Sequence, residues 1–201
     1  IPKVFPHASP RRVVQLGFVA LFAGLVVMVA GLDAGAGPEI VTWPMLLAGL
    51  GVGALASQLG SVTVSSVPDE QSGEVGGLQN TLTNLGASIG TALAGAVLIS
   101  TLTGSFLTGI QNNPAVPAEV KSKANVELAG GIPFVSDADL KTALDKAGVA
   151  PKTADAIVKE NATARLDGLR SSLSVMAIIA LIALPFSLRI PTQQPASTVP
   201  T

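Results

Sequence analysis

Cysteine and tyrosine are absent from this chain of 201 residues, and charged and aromatic residues are scarce. Without cysteine there is no disulfide framework and no thiolate metal site. The single histidine, His7, lies in a proline-rich stretch. With no second histidine it cannot build a zinc site, and it reads as a solvated loop residue. Charged residues make up 12% of the chain, about half the usual share of a soluble domain. Aromatics make up 3%, too few for an ordinary soluble core of this length. The formal net charge of −1 offers no basic face, so no nucleic-acid partner is expected. No nucleophile–base pair, metal cluster or phosphate-cradling loop is visible, so neither an enzyme nor a cofactor is expected.

Basic residues are missing altogether between Val13 and Ala118. In that stretch the only charges are Asp33, Glu39, Asp69, Glu70 and Glu74, in two small groups. A bilayer imposes this pattern, because a charge at its centre costs about 2.5–3.5 kcal/mol.

What the chain does have is alanine, valine, leucine and isoleucine in blocks. A spanning helix needs about 20 mostly apolar residues. Four windows qualify: 13–32, 43–66, 75–102 and 171–190. Arg11 and Arg12 precede the first. Trp43 stands at the mouth of the second, and Pro44 suits the first turn of a helix. Arg189 and Pro191 close the fourth, with Pro185 in its last turns. Buried helices of a soluble bundle would show a polar stripe, and the first, second and fourth windows show none. The expected fold is an all-α membrane protein of four transmembrane helices with a small helical extracytoplasmic lobe.

Lys3, Arg11 and Arg12 place segment 1–12 in the cytoplasm, and four spans return the C-terminus to the same side. The outer loop is then 33–42, and the acidic inner loop 67–74. Segment 103–170 is too long for a hairpin and forms the outer lobe. Within it, Ser136-Asp137-Ala138-Asp139 opens a helix with a capping-box-like pattern. Leu140, Ala143, Leu144 and Ala147 follow on one face, and Gly148 ends it. Pro151 opens another helix that can run on into the fourth span. Asn161-Ala162-Thr163 matches the glycosylation triplet, which chance explains. Segment 191–201, polar with three prolines, reads as a disordered cytoplasmic tail.

The third window differs from the others. Its first half carries Gln79, Asn80, Thr81, Thr83 and Asn84. Asn80, Asn84, Ala87, Ser88 and Thr91 fall on one helical face, at depths of roughly 8 Å for Asn80 to roughly 24 Å for Thr91. Amides at that depth need partners or water. Gln58, Asn80, Thr83, Asn84, Ser88 and Thr91 are therefore candidates for one of two roles. They join helices by hydrogen bonds, or they line a transport path. Small residues form packing faces: Gly17, Gly24 and Gly31 at intervals of seven, Gly49 with Gly53, and Gly86 with Gly90. These faces imply more partner helices than four spans supply.

Residues 68–81, Pro-Asp-Glu-Gln-Ser-Gly-Glu-Val-Gly-Gly-Leu-Gln-Asn-Thr, followed by Leu85-Gly86-Ala87-Ser88-Ile89-Gly90-Thr91-Ala92, carry a resemblance. The stretch resembles the penultimate-helix region of the major facilitator superfamily, in its fourteen-helix drug:proton antiporter branch of multidrug exporters. A basic pair ahead of the first span and a long outer loop before the last are similar to that branch too. The resemblance implies the C-terminal portion of a proton-coupled exporter of amphipathic small molecules, in the cell membrane, working by alternating access. Its partners would be membrane lipid, the missing N-terminal helices of the same protein, and a small-molecule substrate. The branch's basic signature between helices two and three and its Gly-Pro antiporter motif are absent. No titratable residue lies inside a span, so the coupling group would lie in the missing part. The other reading is a self-contained four-span membrane protein whose outer lobe binds a partner or ligand.

Overall fold

The computed structural model describes residues 9–33, 37–127 and 134–192. Lys3, His7 and residues 193–201 of the expected tail lie outside them. The described residues form helices α1 (Pro10–Gly31), α2 (Glu39–Val64), α3 (Ser72–Asn112), α4 (Ala118–Glu127), α5 (Asp137–Lys146) and α6 (Pro151–Phe186). Short 3₁₀ turns cover Asp69–Gln71 and Ser187–Arg189. No strand occurs among the described residues. Four helices are long and apolar enough to cross a membrane: α1, α2, α3, and α6 with its closing turn.

Several boundaries move. Helix α2 starts at Glu39, so Pro44 sits in its second turn and not its first. The start is set at Pro38, whose carbonyl accepts from the Val41 and Thr42 amides and from the Thr42 hydroxyl. Helix α3 does not stop near Leu102. It runs 41 residues, about 60 Å, because Leu102, Phe106 and Ile110 continue an apolar row at intervals of four. Helix α6 runs unbroken from Pro151 into the fourth apolar window. Helix α4, in the outer segment, is not among the helices expected from sequence. Its signal is Val120 and Ala124, one turn apart after Pro117, which pack against the same core as Val116.

The chain forms two compact units. Of the described residues, one comprises 9–31, 37–92 and 174–192, and the other 32–33, 93–127 and 134–173. In the first, α1 and α2 form an antiparallel hairpin. Gly17 faces the Gly51 carbonyl and Leu55, Gly24 faces Pro44 and Ala48, and Gly31 faces Ile40. On α2 the seam is thus Pro44, Ala48, Gly51 and Leu55, a heptad-like spacing. A Cβ at Gly24 would stand 2.8 Å from the Ala48 amide nitrogen and the Pro44 carbonyl oxygen. Only glycine lets the backbones approach this closely.

In the second unit, the C-terminal half of α3 packs antiparallel on the first half of α6. Leu102, Phe106 and Ile110 of α3 share a core with Val116, Ile157 and Ala164. Gly168 of α6 lies over Leu98, where a Cβ would meet the carbonyl oxygen at 2.9 Å. The Ser172 hydroxyl donates to the Ala94 carbonyl at 2.9 Å, and Thr153 to that of Ala115 at 3.3 Å. Leu140 and Leu144 lay the predicted face of α5 on this core, while Ala143 and Ala147 stay exposed. Helix α5 ends in a Schellman motif. Gly148 takes φ +71°, its amide donates to Asp145, and the Val149 amide donates to Leu144.

Candidate functional site

The polar residues of the third span lie on α3 within the first unit. Residues 81–89 are exposed on every side of the helix. Asn80, Asn84, Ser88 and Thr91 form the expected stripe, and among the described residues their hydrogen bonds fall on α3 itself. The Ser88 hydroxyl donates to Asn84 O at 2.9 Å, and the Thr91 hydroxyl to Ala87 O at 2.8 Å. Thr81 and Thr83 bond back to Gly77 and Gln79 in the same way. A hydroxyl that donates within its own helix has spent its single donor, and its cost in hydrocarbon falls accordingly.

The amides differ. Asn84 Nδ2 donates to Asn80 O at 3.0 Å and lies 3.3 Å from Asn80 Oδ1. An amide has two donors and two acceptor lone pairs. The N–H bonds of Asn80 and the side-chain oxygen of Asn84 therefore keep capacity that α3 does not use. That capacity points outward along a face no other described helix covers.

A cleft of about 370 Å³ opens between α2 and α3, lined by Leu59, Thr63, Val75, Leu78, Gln79, Leu82 and Thr83. Gly60 of α2 lies 3.6 Å, measured from the position a Cβ would take, from Gln79 Nε2. So Thr83 faces α2 across this cleft, while Asn80 and Asn84 lie about 60° and about 100° from it around the helix and are not among the cleft's lining. The structure separates these candidates into two faces.

Gln58 is in neither place. It is 1% exposed and continues the seam of α2 toward α1. By the hairpin register it stands opposite the first turns of α1, where Pro10 and Val14 are also fully buried. Of the packing glycines, Gly17 and Gly24 meet α2, whereas Gly49, Gly53, Gly86 and Gly90 have nothing within 4 Å. Gly49 and Gly53 instead line an open apolar groove with Met45, Leu46 and Leu50. The seam glycine of α2 is Gly51, missed because Gly49-xxx-Gly53 is the conspicuous pair while Gly51 pairs with Pro44, Ala48 and Leu55.

The second unit holds a polar cluster that is not among the sequence candidates. Asp137, at the start of α5, accepts from Asn161 Nδ2 at 2.8 Å and from Arg165 at 3.1 Å. The Arg165 guanidinium also stacks over Phe134, 5.0 Å from the ring centre. Asn161 and Arg165 are one turn apart on α6, a spacing that could have pointed to a shared partner. Arg170 donates to the carbonyl of Leu32, the residue after α1, and pairs with Asp167 at 3.6 Å.

No group of residues able to hold a metal occurs among the described residues. No protein-family model, no curated protein and no solved structure matches this chain.

Proposed function

We propose that the chain is the C-terminal part of a secondary transporter that exports amphipathic small molecules by alternating access, coupled to protons through a residue elsewhere in the protein. The observation that carries this reading is the outward amide capacity of Asn80 and Asn84. It lies at the stretch of α3 whose residues 81–89 are exposed on every side, in a set of apolar helices. In a bilayer such amides require either further helices or an aqueous cavity. An exporter supplies both, because helices that line its path are covered on one side and wetted on the other.

The test is efflux of an amphipathic dye by cells that carry the whole protein. Asn80→Leu with Asn84→Leu should cut efflux at least tenfold. Thr83→Val and Thr91→Val, which remove hydroxyls already satisfied within α3, should change it less than twofold. Full efflux by the double leucine variant would remove the path reading.

A second reading is favoured by the second unit, which has a core of its own and an organised polar cluster at Asp137, Asn161 and Arg165. There the chain would be a self-contained membrane protein whose lobe binds a partner. Efflux unaffected by Asn80 and Asn84, together with binding lost in Arg165→Gln, would move the argument there.

A further inference from the structure

Arginines stand at the start of α1, and among the described residues no carboxylate pairs with them. Arg11 and Arg12 occupy its first turn, and neither has a carboxylate within 4 Å among the described residues. The sequence explains why. There is no Asp or Glu anywhere in residues 1–32 or 168–201, so the flanking segments cannot supply one. Glu70 and Glu74, just before and in the first turn of α3 in the same unit, are exposed and make no ion pair with them.

The same end of α1 is open to an anion in three further ways. Its first turn has no acidic residue. Pro10 has no amide hydrogen, so the exposed end of the helix dipole is carried by the amides of Arg11 and Arg12. Ser9 occupies the N-cap, yet its hydroxyl is buried with no hydrogen-bond partner and caps neither amide. A cleft of about 660 Å³ lies beside these groups, lined by Ser9, Arg11, Arg12, Gln15, Leu188 and Thr192. That is within the range of sites that hold a small molecule.

The walls are of two kinds. Ser9, Arg11, Arg12, Gln15 and Thr192 are polar, and Leu188 is apolar and half exposed. Leu16, next in sequence to the lining residue Gln15, and Phe186, two residues before Leu188, are apolar and well exposed. Arg189 stacks over the Phe186 ring at 5.6 Å and adds a third cation at this end. A free phosphate would use the polar wall only. A phospholipid uses both, with its phosphate on the arginines and its chains along the leucines.

We propose that this cleft binds the phosphate headgroup of an anionic phospholipid. The proposal rests on α1 and α6 lying in a bilayer, and not on the transport reading.

The experiment is native mass spectrometry of the purified chain after reconstitution in vesicles of equal phosphatidylglycerol and phosphatidylcholine. The wild type should retain phosphatidylglycerol in preference. Arg12→Gln should weaken that preference about fivefold and Arg11→Gln/Arg12→Gln by about that factor for each arginine removed. Lys123→Gln, an exposed lysine on α4, should leave it unchanged. Circular dichroism checks that the variants keep their helices, and the single Arg12→Gln change, at an exposed side chain, carries the test if the double variant unfolds. Equal retention of the two lipids overturns the proposal, as does a preference that survives the double change. Displacement of the lipid by millimolar inorganic phosphate also overturns it and makes the cleft a free-phosphate site. A chain that fails to enter the vesicles overturns both the proposal and the membrane reading.

Discussion

Asn161 shows how much a side chain's surroundings decide. In sequence it belongs to a glycosylation triplet. In the fold it is 2% exposed, and its amide nitrogen is occupied by the Val135 carbonyl and the Asp137 carboxylate. A glycan on this nitrogen is incompatible with the burial and both hydrogen bonds seen in the fold, so the folded protein should migrate unchanged after deglycosylation. Asn161→Ala leaves one carboxylate contact unmade and should destabilise the fold by about 2 kcal/mol, read from denaturant unfolding. Arg165 would still hold Asp137, so the loss should be partial. Lys141 gives a prediction in pH. Its hydrogen bond to Asp155 at 3.0 Å, and then the charge of that carboxylate, raise its pKa above the ordinary 10.5. The folded value is the higher one, so the pair's contribution is complete below 10.5 and disappears as the pH rises through the folded pKa. Both side chains are more than half exposed, which keeps the effect small. The Tm difference between wild type and Lys141→Gln should be slight at neutral pH and vanish in strongly alkaline buffer. A difference that grows with pH would contradict the pairing. Neither partner was visible in sequence, because α5 and α6 are brought together by their apolar faces and the ion pair follows from that.

At the scale of elements, helices were legible where one local rule decides. Ser136 was foreseen as a cap, and its hydroxyl accepts from the Asp139 amide at 3.1 Å while donating to the Asp139 carboxylate. Gly148 and Pro151 mark the end of α5 and the start of α6 as their chemistry requires. Rules failed where a partner decides. The end of α3 was placed where the apolar run thins, but burial of Phe106 and Ile110 against the second unit's core carries the helix to Asn112. Helix α4 is short and mostly polar, and only its packing on that core gives it away. The glycines make the same point quantitatively. Gly24→Ala and Gly51→Ala put a Cβ within 2.6–2.8 Å of backbone atoms that cannot turn aside. Each should loosen the α1–α2 hairpin, at about 1–3 kcal/mol. Gly49→Ala and Gly53→Ala meet open space, and their better helix propensity should leave stability unchanged or slightly raised. Thermal unfolding in detergent would separate the two pairs. Equal effects would mean that α2 presents a different face to α1.

At the scale of the whole molecule, the distribution of charge says most. Residues 13–32, 40–68, 75–118 and 171–188 contain no Asp, Glu, His, Lys or Arg. A chain with no titratable group in its apolar segments has nothing there to carry a proton, so this chain reconstituted alone should move no dye down an imposed pH gradient. Dye movement by the chain alone would place the coupling group in the loops and sink the proposed division of labour. The four apolar helices could be read directly from sequence because long runs free of charge are a local and strong signal. The face each helix presents could not, because glycine spacing and amide position are compatible with several partners.

The α1–α2 seam has one more consequence, for the order in which the chain assembles. Its contacts span a connection of only residues 32–38 and need nothing that comes later in the sequence. Once Leu55 has been synthesised, every glycine slot of α1 has its counterpart, and the hairpin can close while the ribosome is still at work. Helix α3, emerging next with residues 81–89 uncovered, has no such neighbour waiting.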